Sequence, residues 1–291
     1  MAAEQADAVG VGFRLGGSGY PMSRAFPYVD FETRATLNGV ELREHGEGRP
    51  LLFVPGMTGG GQATLDLAVR VAERAAAEGK PHRLFLVDYT AESHDTLEAL
   101  QDTVTELVVR RLGKEPCLVW TESLGNLVVP PPRLDRVLQV ARRVMISPFA
   151  RVPGLRLAIG LALMAVTPPT LYRWSMAPLG RFMFGPPGDR PDHVFFAAIA
   201  EVSPQAARRR SAWLRGKEFA AWFEATSVPT KAWLGGCDRV VSIDEEKERF
   251  ARLATERRNF RLSVIDGGGH VVTDSRLHER LFGEIYEWVT S

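Results

Sequence analysis

The sequence predicts an α/β fold, in which a mostly parallel sheet carries helices on both faces and a helical cap is inserted between strands. Short apolar runs alternate with amphipathic stretches through most of the chain, and such alternation is typical of parallel sheets covered on both faces. An Asn-Gly pair between two alternating stretches near the start indicates an antiparallel hairpin. A long apolar segment containing prolines interrupts the alternation after residue 148, which is where the cap is expected.

Composition places the chain among ordinary globular proteins, with 291 residues of which 45% are hydrophobic and 24% charged. The net charge of +1 gives no field that favours nucleic acid or an acidic membrane as a partner. Residues 1–11 lack the basic start of a signal peptide, and the most apolar run, residues 157–166, is too short for a transmembrane segment. Cys117 and Cys237 fit reduced thiols in a cytoplasmic protein better than a disulfide scaffold.

The beginning of the chain divides into an arm and a hairpin. Residues 1–29 contain several glycines and show no periodicity, so we expect a loose N-terminal arm. Polar and apolar residues then alternate over residues 31–37 and 40–44, on either side of Asn38-Gly39. Both residues tolerate the positive φ of a tight turn, so the sheet should begin with an antiparallel hairpin.

The predicted core covers residues 30–148 and 227–291. Six short stretches are predicted strands of the sheet, and the apolar run in the first of them lacks alternation, as expected of a strand buried on both faces. These stretches are residues 50–55, 83–87, 117–120, 143–146, 230–234 and 261–265. Apolar residues recur at helical spacing between them and after the last of them. The predicted helices are residues 62–78, 96–112, 244–254 and 277–289.

Residues 149–226 are predicted to form the helical cap or lid. This segment contains long apolar stretches, two Pro-Pro pairs and a helical piece over residues 204–223. Ser203 can cap that piece, and Pro204 suits its first turn. The same apolar residues also fit extra helical packing against the core, and the sequence leaves both interpretations open.

Four predicted strands end in turns that carry reactive or very small residues. A glycine-rich loop covers residues 55–61, Ser123 lies in Thr-Glu-Ser-Leu-Gly, Asp238 follows Gly-Gly-Cys, and His270 follows three glycines. A serine hydroxyl is a weak nucleophile at neutral pH and needs a base within hydrogen-bonding reach, for which histidine has a suitable pKa. A buried carboxylate then fixes the imidazole tautomer. The glycine-rich loop lacks the spacing of nucleotide-phosphate loops, so phosphate binding is disfavoured.

In this order the four motifs resemble the α/β-hydrolase superfamily over residues 30–291, because that family orders its residues as serine, acid and histidine. The resemblance implies a nucleophile elbow at Ser123, with His270 as general base and Asp238 as the orienting acid. It also implies an oxyanion hole formed by the backbone N–H groups of Met57 and Leu124. The implied reaction is cleavage of a carboxylic ester or thioester through an acyl-enzyme.

The substrate is expected to be a small molecule with a hydrophobic acyl or alcohol part, because the cap is rich in large apolar side chains. We expect substrate contacts from Gly56 and Thr58 in the glycine-rich loop and from Trp174 and Met176 in the cap. Histidine, cysteine and carboxylate residues do not cluster at metal-ligand spacing, so neither a metal nor another cofactor is predicted.

Several alternatives stay open from the sequence. Asp88 and Asp244 are other candidates for the acid, whereas the side chain of Glu122 should point away from that of Ser123. Thr121 stands where an elbow usually has glycine, and the prolines at 130–132 should cut short the helix that supports the nucleophile. These departures motivate a second hypothesis, a non-catalytic binding or scaffold protein with the same fold. The same triad would also serve a C–C hydrolase, a perhydrolase or an iminopeptidase.

Overall fold

The computed structural model describes residues 30–60, 64–154, 202–272 and 274–291. Within them an eight-stranded sheet has the order β1-β2-β4-β3-β5-β6-β7-β8. The strands are β1 Glu32–Leu37, β2 Val40–His45, β3 Arg49–Val54, β4 His82–Asp88, β5 Cys117–Glu122, β6 Val140–Ile146, β7 Thr230–Gly235 and β8 Phe260–Ile265. Strands β3 to β8 run parallel, while β1 and β2 add an antiparallel edge. The predicted hairpin and mostly parallel sheet are confirmed.

Helices pack on both faces of the sheet, as predicted. They are α1 Leu65–Ala77, α2 Leu97–Leu112, α3 Gly125–Val128, α4 Pro131–Leu134, α5 Pro204–Trp213, α6 Ala220–Glu224, α7 Ile243–Glu256 and α8 Ser275–Thr290. Alternate residues of β3 divide between the two faces: Leu51 packs in the core with α1 and α8, and Leu52 in the core with α2 and α7. Both residues are completely buried, which explains the apolar run without alternation.

The predicted helical piece at residues 204–223 is two helices rather than one. Its start agrees with the prediction, because Ser203 Oγ accepts a hydrogen bond from the backbone N–H of Ala206 at 3.1 Å and Pro204 lies in the first turn. The helix ends at Trp213, and Gly216 then adopts a left-handed φ of 67° that breaks the helical path. The prediction of one continuous helix was therefore wrong, because it gave more weight to the apolar periodicity of residues 204–223 than to the glycine within them.

Two predictions concern segments outside the described residues. The N-terminal arm at residues 1–29 lies entirely outside them, and so do residues 155–201 of the predicted cap. The boundaries of the cap at 149 and 226 therefore stay predictions. Among the helices of the described residues, none is long and apolar enough to cross a membrane.

Candidate active site

Ser123 follows β5 directly and occupies a sharp turn before α3. Its φ is 48°, a left-handed value that is unusual for a residue with a side chain. Gly125 is required two residues later, because a Cβ there would lie 2.3 Å from the carbonyl oxygen of Val54. The turn is therefore pressed against the end of β3, which brings the serine beside the glycine-rich loop.

The side chain of Thr121, which stands where an elbow usually has glycine, helps to hold the turn. Thr121 is completely buried, and its hydroxyl donates to Asn126 Oδ1 at 2.6 Å. Asn126 Nδ2 in turn donates to the carbonyl oxygens of Ser123 at 2.9 Å and Ile146 at 3.2 Å. These bonds link the strand before the serine to the helix after it.

The helix after the serine is short, as the prolines predict. Helix α3 ends at Val128, and α4 begins at Pro131. Proline has no N–H, so the carbonyl of Leu127 cannot receive the usual helical hydrogen bond from Pro131. Gln101 Nε2, on α2, donates to that carbonyl at 2.7 Å. A side chain from a neighbouring helix therefore supplies the donor that the proline lacks.

The structure brings Ser123, His270 and Asp238 into one hydrogen-bonded chain. His270 Nε2 lies 2.7 Å from Ser123 Oγ, and His270 Nδ1 lies 2.6 Å from Asp238 Oδ2. The second contact fixes Nδ1 as the donor to the carboxylate, which leaves Nε2 to accept the serine proton. His270 and Asp238 are each 4% exposed, so this chain is largely shielded from water.

The two turns that carry the acid and the histidine support each other. The backbone N–H of Cys237 donates to the carbonyl of Gly268 at 2.7 Å. Ser147 Oγ donates to the carbonyl of His270 at 2.6 Å, which ties the histidine turn to the end of β6. Asp238 Oδ1 accepts from the N–H of Val240 at 2.8 Å, leaving Oδ2 for the imidazole. The imidazole therefore has a fixed orientation.

Electrostatics favour a protonated state of His270 at moderately acidic pH. Burial opposes the imidazolium, but the Asp238 carboxylate, through charge and hydrogen bond, raises the pKa of His270 above its ordinary value. Glu122 adds a smaller effect in the same direction. An imidazolium at this position would therefore be stabilised.

Neither of the alternative acids, Asp88 and Asp244, is placed to accept a hydrogen bond from His270. Asp88 Oδ2 pairs with Arg43 at 3.0 Å on the side of β2, and Asp244 is exposed in the first turn of α7. Glu122 is buried, and its carboxylate accepts from Thr64 Oγ1 at 2.7 Å. Burial raises the pKa of Glu122 to about 7, a perturbation that local sequence patterns cannot predict.

The glycine-rich loop brings Gly56, Met57 and Thr58 to the serine turn. A Cβ on Gly56 would lie 3.1 Å from Ser123 Cβ, and Met57 and Thr58 are partly exposed. Within the described residues, the N–H groups of Met57 and Leu124 have no protein acceptor. Both therefore fit the predicted role of free donors. Trp174 and Met176 lie outside the described residues.

Sequence comparison identifies the family. Residues 51–282 match the profile of the alpha/beta hydrolase family. The chain belongs to the α/β-hydrolase family. No curated protein sequence matches this α/β-hydrolase.

Among its described residues, no group of three or more histidine, cysteine or carboxylate side chains is arranged to hold a metal ion.

Solved structures share this fold at low sequence identity. An esterase from Exiguobacterium antarcticum aligns with a TM-score of 0.69 at 14% identity, covering 87% of this α/β-hydrolase and 96% of the esterase. The esterase RhEst1 from Rhodococcus sp. ECU1013 aligns at 0.66 and 16%, covering 90% and 98%. The carboxylesterase CesB from Bacillus subtilis aligns at 0.65 and 16%, covering 91% and 93%.

Proposed function

We propose that this α/β-hydrolase is a serine hydrolase that cleaves a carboxylic ester or thioester through an acyl-enzyme on Ser123. The observation that carries the proposal is the hydrogen-bonded chain from Ser123 Oγ through His270 to Asp238, with contacts of 2.7 and 2.6 Å. Contacts of this length are within the range required for proton transfer from a nucleophile to its base. The esterases of similar fold are consistent with this reaction class.

In the acylation step, His270 Nε2 takes the hydroxyl proton as Ser123 Oγ attacks the carbonyl carbon. The N–H groups of Met57 and Leu124 donate to the developing oxyanion, and losing one such donor typically costs roughly 3 to 4 kcal/mol. Asp238 stays ionised and stabilises the imidazolium. His270 then returns the proton to the leaving alcohol or thiol, which departs and leaves the acyl group on the serine.

Deacylation repeats these steps with water. His270 Nε2 takes a proton from water as the water oxygen attacks the acyl carbon, and the same two N–H groups receive the second oxyanion. The proton then returns to Ser123 Oγ, the carboxylic acid leaves, and the free enzyme is restored. Over the whole cycle, the serine proton therefore goes to the leaving group, and a proton from water replaces it on Ser123.

The proposal for a hydrophobic substrate rests on the sequence of the predicted cap, including Trp174 and Met176. We expect kcat/KM for p-nitrophenyl esters to rise with acyl chain length over the short and medium range. Equal kcat/KM for acetate and octanoate esters would contradict a hydrophobic acyl site and direct attention to the alcohol part.

The decisive experiment is labelling with a fluorophosphonate, which reacts with activated serines. We expect one adduct on the wild-type protein by intact mass and none on Ser123→Ala. Ser242→Ala is a matched control, because Ser242 precedes α7 near the acid turn and its side chain makes no capping hydrogen bond. It should label like the wild type. A folded wild-type protein without an adduct would instead favour the non-catalytic binding hypothesis.

A positive result leaves the bond type to be determined. Comparing an ester and a thioester with an aminoacyl naphthylamide would separate the proposed reaction from that of an iminopeptidase. A vinylogous diketone would test for a C–C hydrolase, and peroxide with a carboxylic acid would test for a perhydrolase. The proposed function requires the ester or thioester to have the highest kcat/KM of this set.

A further inference from the structure

A completely buried arginine lies beside the glycine-rich loop. Arg210 belongs to α5, which lies near the end of the predicted cap in the chain, and its side chain is 0% exposed. Its Nη1 donates to the carbonyl of Met57 at 2.5 Å and its Nη2 to the carbonyl of Tyr89 at 2.6 Å. Its Nε donates to Glu92 Oε1 at 3.0 Å. All three nitrogens of the guanidinium therefore have acceptors, which a buried cation requires.

Glu92, the acidic partner of Arg210 in this ion pair, is buried as well. The Glu92 side chain is 0% exposed and accepts from Arg209 as well as from Arg210. Burial opposes ionisation of Glu92, but the two guanidinium groups hold its pKa below the usual value. The carboxylate therefore stays charged and fixes the direction in which the Arg210 guanidinium points.

Tyr89 extends this network to the two loop carbonyls that precede Met57. Its ring lies under the guanidinium, with Arg210 Cζ 4.9 Å from the ring centroid. Its single hydroxyl hydrogen is shared between the carbonyl oxygens of Pro55, at 2.6 Å, and Gly56. Burial raises the pKa of Tyr89 well above its ordinary value despite the opposing charge of Arg210, so the hydroxyl remains a donor.

The Gly56 carbonyl belongs to the same peptide unit as the N–H of Met57. A planar peptide turns as a unit, so a hydrogen bond that fixes the carbonyl also fixes the direction of the N–H. Donation to the carbonyl further polarises the N–H and makes it a better donor. Arg210 holds the following carbonyl, that of Met57, so the loop is held on both sides of the predicted oxyanion donor.

We infer that Tyr89 and Arg210 are positioning residues for the oxyanion-hole peptide Gly56–Met57, with Glu92 fixing the guanidinium. This inference rests on the proposed function, because it assigns the network to the reaction at Ser123. It gives α5 a role beyond packing: a helix distant in sequence from the loop preorganises the donor that receives the negative charge. Preorganised donors act mainly on the transition state rather than on the bound substrate.

The first test removes only the hydroxyl, with Tyr89→Phe. We expect kcat to fall roughly 10- to 100-fold while KM stays within about twofold, which is less than the roughly 100- to 1,000-fold cost of deleting an oxyanion donor. Arg210→Lys cannot reach three acceptors at once and should lower kcat in the same way. Arg208→Lys is the matched control on the exposed side of α5 and should keep wild-type kcat.

A second readout does not depend on catalysis. Amide hydrogen exchange over residues 55–59 should be faster in folded Tyr89→Phe than in the wild type, and unchanged in Arg208→Lys. Unchanged exchange in Tyr89→Phe would overturn the inference, and so would faster exchange with kcat within twofold of the wild type. Fluorophosphonate labelling of the wild type separates the two hypotheses: if it labels and these variants behave as wild type, only the inference fails. If it does not label, the proposed function fails, and the assignment of this network to the oxyanion hole fails with it.

Discussion

Replacing Glu122 by glutamine is expected to stabilise the protein at pH 8 while changing its stability little at pH 5. The carboxyl group is buried, and burial raises its pKa from the ordinary 4.5 to about 7, although the hydrogen bond from Thr64 and the charge of His270 act in the opposite direction. Asp66 adds a smaller effect that raises it. The folded protein therefore binds this proton more tightly than the unfolded chain does.

The sign of the pH dependence follows from this difference. Between pH 4.5 and about 7 the folded state retains a proton that the unfolded state has lost, so the free energy of unfolding falls as pH rises. Below that window the contribution is fully present, and above it the contribution is lost. The raised pKa corresponds to roughly 3 kcal/mol across the window. The substituted glutamine is neutral throughout and can still accept a hydrogen bond from the Thr64 hydroxyl.

The assay is urea denaturation of the wild type and Glu122→Gln at pH 5 and pH 8. The advantage of the variant in free energy of unfolding should increase by roughly 3 kcal/mol from the lower to the higher pH. Glu284→Gln is a control of opposite type. Burial opposes ionisation of Glu284, but hydrogen bonds from Ser263, Trp233 and Arg280 lower its pKa to about 2, so its effect should not change between pH 5 and 8.

Parallel pH dependence in the wild type and Glu122→Gln would refute the argument from burial. It would mean that water or a rearranged partner reaches the carboxylate. The same variant tests the coupling to the site: removing this negative charge should lower the pKa of His270 and move the acidic limb of kcat/KM to lower pH.

Four further outcomes are expected. Asp238→Asn should keep the fold but lower kcat by about 10⁴-fold in steady-state assays, because the amide favours the wrong imidazole tautomer. Gly125→Ala should lower the urea midpoint by the equivalent of roughly 3 kcal/mol, because its Cβ would meet the carbonyl of Val54. The acidic limb of kcat/KM should lie above pH 6.5, because the raised pKa of His270 keeps the base protonated up to higher pH. Thr121→Val should cost roughly 1 to 3 kcal/mol in urea denaturation, because it removes the donor to a buried amide oxygen.

The strands and the strand-end motifs could be predicted because their signals are local. A buried parallel strand is a short apolar run, and the turns after it need glycine or a polar side chain at fixed offsets. Grouping Ser123, Asp238 and His270 as one set needed more than local signals: it came from the resemblance to the α/β-hydrolase superfamily, which orders these residues as serine, acid and histidine. The one helix that was wrongly predicted as continuous contains Gly216, where apolar periodicity and a helix-breaking glycine gave opposite signals.

The contacts of Arg210 could not be predicted in the same way. Arg208, Arg209 and Arg210 form a basic run on a predicted helix, and such a run usually marks a solvated face. Only the fold shows that the third arginine turns inward toward the carbonyls of Met57 and Tyr89. Similarly, the pKa of Glu122 depends on burial and on partners remote in sequence.

The two departures from the usual elbow sequence can be understood together. An elbow normally relies on a small residue before the serine and on a long helix after it, whose backbone hydrogen bonds fix the turn. Here the bond between Thr121 and Asn126 spans the turn, and Gln101 donates to the Leu127 carbonyl, one of those that the proline run leaves without a helical donor. Side chains thus supply some of the hydrogen bonds that the short helix lacks. Despite both departures from the usual elbow sequence, Ser123 Oγ lies 2.7 Å from His270 Nε2, so the turn still presents the serine to the imidazole.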